Sequence, residues 1–82
     1  MQITVKLFAL MREKVGTDTI PLEVPAGVAV TQALATLVQQ YPMLAPYMAT
    51  TRLSLHMDFV DPDTTLAEGD ELVLIPPVSG GA

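Results

Sequence analysis

The chain has 82 residues, half of them hydrophobic and only 16% charged, which fits one small globular domain and excludes a disordered chain. It has no cysteine, so disulfides, thiolate metal sites, iron–sulfur clusters and thiol nucleophiles are excluded. The net charge of −5 repels nucleic-acid phosphates and favours a basic protein partner. No apolar stretch reaches bilayer length and no signal-peptide layout opens the chain. The expected setting is therefore cytoplasmic, with neither membrane nor nucleic acid as a partner.

Residues 1–8 alternate. Met1, Ile3, Val5 and Leu7 share one face, Gln2, Thr4 and Lys6 the other, and Phe8 breaks the polar face. This is the pattern of a half-buried strand. One or two helical turns are predicted over 9–15, stopped by Gly16 at the C-cap. Ile20, Leu22 and Val24 alternate with Thr19, Pro21 and Glu23. Pro21 cannot donate to a ladder, so this second strand is expected at a sheet edge, paired antiparallel with the first.

After the turn signal Pro25-Ala26-Gly27, Val30, Ala33, Leu34, Leu37, Val38 and Tyr41 form one apolar helical stripe,. Pro42 ends it. Residues 43–49 read as a connector. A tight hairpin is expected over 52–55 and 58–60, although His56 and Met57 are poor residues for a two-residue turn that needs positive φ. Asp61-Pro62-Asp63 and Glu68-Gly69-Asp70 are turn signals, with Leu66 anchoring the loop between them. The apolar run 72–75 predicts an interior strand covered on both faces. Pro76-Pro77 ends it, leaving residues 76–82 as a flexible tail beyond a domain spanning 1–75. Strand, strand, helix, strand, short strand, strand is the order of the α+β, ubiquitin-like β-grasp arrangement. It is a mixed sheet with one main helix packed across it.

Several segments resemble the molybdopterin synthase small-subunit family. They are Phe8-Ala9-Leu10-Met11-Arg12-Glu13 with Val15-Gly16, then Tyr41-Pro42, Val60-Asp61-Pro62-Asp63-Thr64 and Glu68-Gly69-Asp70-Glu71. The ending Ile75-Pro76-Pro77-Val78-Ser79-Gly80-Gly81 is similar to that family's signature almost residue for residue. The thiamin-pathway sulfur carrier is a relative with the same di-glycine. The resemblance implies a β-grasp fold and a sulfur-carrier role. The subunit would be noncatalytic and bind no cofactor. An ATP-dependent, E1-like activating enzyme would adenylate Gly81, and sulfur would replace AMP to give a thiocarboxylate. A large catalytic subunit, in a heterotetramer, would pass that sulfur to a pterin precursor of the molybdenum cofactor. Two departures stand out. His56-Met57 replaces an Asn-led turn, and Ala82 follows Gly81, so the carrier chemistry requires Ala82 to be removed.

The residues themselves show why such a tail suits the task. Gly80 and Gly81 have no side chains to obstruct a narrow channel, and Pro76 and Pro77 hold the root extended. From Pro76 through Val78 and Ser79 to Gly81 the reach is at most roughly 20 Å. That distance suits a neighbouring protein's active site.

Other residues leave alternatives open. Phe8, Met57, Phe59, Pro76 and Val78 form a docking patch, or the short helix after Phe8 simply covers it. His56 reads as a solvated turn residue, and Arg12 and Glu13 as helix-surface residues. Asp61, Asp63, Glu68, Asp70 and Glu71 lack EF-hand spacing, so no metal site is expected, although the cluster could face a basic partner. No nucleophile–base pair or phosphate loop points to a free-standing enzyme. The same tail also fits a sulfur carrier for thiamin or RNA thiolation, or a ubiquitin-like protein modifier. A β-grasp binding module with an inert tail is the reading from another class.

Overall fold

The computed structural model describes residues 1–76. In chain order the elements are β1 (Gln2–Lys6), α1 (Ala9–Val15), β2 (Thr19–Glu23), α2 (Val30–Gln40), a 3-10 helix (Pro42–Tyr47), β3 (Arg52–Leu55), β4 (Asp58–Phe59) and β5 (Glu71–Ile75). The five strands form one mixed sheet in the order β2-β1-β5-β3-β4. This is the β-grasp fold, α+β in class.

The alternation in β1 sets the two sides of the sheet. Ile3, Val5 and Leu7 are buried and pack with Leu72 and Leu74 of β5, Leu53 and Leu55 of β3, and Val30, Ala33 and Leu37 of α2. The first N–H groups of α2 have no partner inside the helix. The loop after β4 supplies them: Val30 N–H donates to Thr64 O (2.8 Å) and Thr31 N–H to Pro62 O (3.0 Å). Gln32 Oε1 accepts from the Ala29 N–H at 3.0 Å, the half of a capping box that alanine permits. Leu66 anchors the same loop, buried in the core with its N–H on Val28 O at 2.9 Å.

β2 is an edge strand, as Pro21 requires. The bonds Leu7 N–H to Asp18 O (2.8 Å) and Val24 N–H to Met1 O (2.9 Å) fix the phase of the β1–β2 ladder. Pro21 lies opposite Thr4, whose own N–H points the other way, to Asp70 O at 2.9 Å. The imide nitrogen of Pro21 therefore faces the open edge, where its missing donor costs the ladder nothing.

Two expectations are corrected. The run 72–75 is central in the sheet but not covered on both faces. Leu72 and Leu74 are fully buried, whereas Val73 and Ile75 lie half-buried on the outer face, because α2 covers one side only. Residues 43–49 are more than a connector, since Pro42 opens a 3-10 helix whose Leu44 is buried. Pro at a first helical position forfeits no bond.

The hairpin closes through His56 (φ 51°) and Met57 (φ 70°). Positive φ at both positions makes this the primed type of turn that matches strand twist. Side chains with a Cβ are strained there, by roughly 1 kcal/mol each. Replacing the pair by the favoured residues, His56→Asn with Met57→Gly, is expected to raise stability by about 1 kcal/mol. The urea midpoint measures it, and an unchanged or lower midpoint would contradict the strain.

Candidate functional site

The candidate site is the place where the chain leaves the sheet. β1 and β5 run parallel, with Lys6 beside Val73, so their C-terminal ends lie at the same end of the molecule. β3 is antiparallel to β5 and pairs Arg52 with Ile75, so its first residue joins them there. Pro76, half-buried, follows Ile75. The proposed tail residues Pro77, Val78, Ser79, Gly80 and Gly81 lie outside the described residues.

The outer face at this end is organised in rows. Lys6, Val73, Ser54 and Phe59 stand side by side across four strands. One row nearer the tail are Ile75 and Arg52, and the β1 register continued by two residues sets Phe8 level with them. Phe8 has extended backbone (φ −133°, ψ 162°). Ala9 then turns sharply at φ 53° and sends α1 away from the sheet. The short helix buries Met11 and leaves Phe8 40% exposed. The short helix therefore leaves Phe8 partly uncovered.

Phe59 is 61% exposed, and the Arg52 guanidinium carbon sits 4.5 Å from its ring centroid, a cation–π contact. Phe8, Ile75 and Val73 thus form a short apolar strip leading to Pro76, and Phe59 is set apart from them by Ser54 and Arg52 of β3. Met57 does not join it. It is almost wholly exposed but occupies the hairpin tip beyond Leu55, which pairs with Leu72 at the far end of β5. Arg12 and Glu13 are exposed on α1. His56 is exposed too, with Nε2 3.3 Å from Asp70 Oδ1.

Val73, Ile75 and Arg52 were missing from the sequence-derived candidates. An all-apolar strand hides its own alternation, and Arg52 earns its place only through a cross-strand neighbour. The alternation Arg52-Leu53-Ser54-Leu55 was the available signal. Among the described residues no group of three His, Asp or Glu side chains is placed to hold a metal ion. The larger described groove, about 680 Å³ between α2, the 3-10 helix and β3, includes Leu34, Val38, Met48 and Leu53 in its lining and has no titratable side chain. It offers neither acid nor base.

The profile of the ThiS family matches residues 5–81, from within β1 to the second glycine of the tail. The chain belongs to the ThiS family. A molybdopterin synthase sulfur carrier subunit of Chlamydomonas reinhardtii is 36% identical over 83 residues, covering 99% of this chain and all of that protein. The Arabidopsis thaliana protein of the same description is 33% identical over 81 residues, 99% of this chain and 84% of its own. Among solved structures, SAMP1 of Haloferax volcanii superposes with a TM-score of 0.89 at 30% identity, covering 99% of this chain and 100% of that one. A chain from the complex of subunits 1 and 2 of the Helicobacter pylori molybdopterin-converting factor has a TM-score of 0.72 at 22% identity, covering 99% and 100%. At that identity it supports the fold alone.

If the strip and Phe59 are surface and not part of the core, truncating them should scarcely affect folding. Phe8→Ala and Phe59→Ala are each expected to cost less than about 1 kcal/mol, against about 3 kcal/mol for Leu72→Ala. Urea unfolding of the three variants separates the classes, and comparable losses in all three would place them in the core.

Proposed function

We propose that this protein is the sulfur-carrier small subunit of a molybdopterin synthase and that its reactive group is the carboxylate of Gly81. The observation that carries the reading is the family match running through Gly81 on a fold whose central strand leads directly into Pro76. The two plant and algal relatives share the description over nearly the whole chain.

A carboxylate does not exchange its oxygen for sulfur unaided, because oxide is a very poor leaving group. Attack of the Gly81 carboxylate on the α-phosphorus of ATP gives an acyl-adenylate and releases pyrophosphate. A sulfide equivalent then attacks the acyl carbon and AMP departs, leaving a thiocarboxylate. The terminal sulfur is a nucleophile that needs no thiol side chain, in keeping with a chain that has no cysteine. In a large catalytic subunit it attacks an electrophilic carbon of the pterin precursor and displaces an oxygen substituent from that carbon, giving a thioester. Water then cleaves the acyl carbon–sulfur bond, which leaves the sulfur on the pterin and restores the Gly81 carboxylate. The peptide bond between Gly81 and Ala82 has to be cut first, since an amide carbonyl is not a substrate for adenylation.

The small subunit supplies no acid or base to these steps. Its contribution is positional: it holds the tail's root and presents Phe8 and Ile75, with Phe59 on the same face, to whichever partner accepts the tail, so that the terminus arrives aligned with the reacting group. The activating enzyme and the large subunit are the two partners expected to use that face. A second reading, favoured by the fit to a solved structure described as H. volcanii small archaeal modifier protein 1, is attachment of the same terminus to protein lysines as a modifier.

The test is the intact mass of the protein made together with its activating enzyme. Trimming to Gly81 with one oxygen replaced by sulfur is expected, and deleting residues 80–82 should abolish the modified species. Covalent lysine conjugates would select the second reading. An unmodified chain, trimmed to Gly81 and exposed to an enzyme shown to be active, would refute both.

A further inference from the structure

Among the described residues Ser54 is the one polar side chain that is buried, at 6% exposure, yet it does not belong to the core. Its strand neighbours Leu53 and Leu55 are core residues, so alternation turns Ser54 to the outer face. There it stands between Val73 of β5 and Phe59 of β4. Arg52 lies two residues earlier on the same face, with its guanidinium carbon 4.5 Å from the Phe59 ring centroid. Serine is shorter than any of these neighbours, so it forms the floor of a recess whose two cross-strand walls are apolar.

The Ser54 hydroxyl has no hydrogen-bond partner among the described residues. It is not sealed off either, since no side-chain polar atom among those residues is both shut away from solvent and unpaired. The hydroxyl therefore opens outward, through the recess. A protein that covers this face excludes solvent from it, and a polar group dehydrated without a new partner is costly. The covering surface has to bring a hydrogen-bonding group to this point. Nothing here selects a charged one. Lys6 and Arg52 are offset by Glu71, two residues before Val73 on β5, and by Asp61, which shares a hollow with Arg52 and Phe59. An ion placed between Val73 and Phe59 would also lose its hydration. What suits the recess is a slim, uncharged group. A main-chain peptide group meets both conditions, because a hydroxyl donates to a carbonyl and accepts from an N–H.

We propose that Ser54 is a specificity-determining residue of the outer face, and that a main-chain peptide group of the large catalytic subunit occupies its recess and hydrogen-bonds to its hydroxyl. This rests on the docking role given above to Phe8 and Ile75, and adds the polar contact that their apolar surfaces do not supply. A partner with an apolar side chain at the same point would strand the hydroxyl. The residue thus discriminates between surfaces that are equally apolar.

The experiment is calorimetric titration of the intact protein and its variants into the large subunit from the same organism. Ser54→Ala is expected to weaken binding about tenfold. Threonine and valine share a shape and differ in the hydroxyl, so Ser54→Thr should bind about tenfold more tightly than Ser54→Val. The Ser54→Ala deficit should be the same at about 50 mM and about 500 mM salt, because an uncharged contact is not screened. The free protein should not share the loss: the urea midpoint of Ser54→Ala should equal or exceed the parent's, since the fold makes no use of the hydroxyl. Parent-like binding by Ser54→Ala, with no difference between the threonine and valine variants, would overturn the proposal. So would a deficit that vanishes at high salt, or a fall in the urea midpoint that matches the loss of binding. Phe8→Ala and Ile75→Ala separate the two layers. If they weaken binding while Ser54→Ala does not, the docking role stands and the hydrogen bond fails. If all three bind as the parent does, the docking role itself fails.

Discussion

The parallel pairing of β1 with β5 is the constraint on which the rest of the structure depends. Three register pairs, Thr4 with Glu71, Val5 with Leu72 and Lys6 with Val73, join segments from opposite parts of the chain in the middle of the sheet. Parallel neighbours cannot be connected by a tight turn and need a long crossover. Here the crossover contains β2, α2, β3 and β4. It buries α2 against one face and leaves the other open. It also makes the outgoing end of β5 coincide with the outgoing end of β1. The strand that leads into Pro76 thereby emerges beside Phe8 and the start of β3.

That arrangement explains a division of labour between the two faces. The inner face holds Ile3, Val5, Leu7, Leu72 and Leu74 in a continuous core with α2, and the stability of the domain resides there. The outer face carries half-buried Val73 and Ile75 and exposed Phe8 and Phe59. Antiparallel and mixed sheets commonly solvate one face. An apolar strip on that face is therefore surplus to the core, which is why it reads as a surface kept for contact.

Much of this was legible in the sequence, for local reasons. The apolar stripe of α2 recurs at helical spacing, β1 and β2 alternate, Gly16 ends α1, and Pro21 marks an edge. Each is a property of neighbouring residues. The hairpin at His56-Met57 was legible from its flanks, even though its turn residues are ill suited to their φ. The outer face was legible only in part: Phe8 and Phe59 stood out, whereas Val73, Ile75 and Arg52 did not. Leu72, Val73, Leu74 and Ile75 are all apolar, so the period of two that separates core from surface has no polar residue to reveal it. The contact between Arg52 and Phe59 depends on the register of β3 against β4, and the exposure of Phe8 on the single positive φ at Ala9. Both belong to the folded chain and to no local pattern. Most of the tail lies beyond the described residues, and its reading rests on its own sequence and on the family match.

Pro21 has an effect on how the molecule can assemble. A sheet offers two routes to unwanted growth, and a small protein with bare phenylalanines on one face is exposed to both. Pro21 removes the central donor from one rim, and on the other β4 is only two residues long. Neither rim offers a long, regular row of free donors and acceptors for a further strand to copy, so open-ended polymerisation along the hydrogen-bonding direction is poorly templated. What remains available is the flat face, which one partner can cover completely. A contact made on that face uses none of the ladder groups at either rim, so it does not extend the sheet.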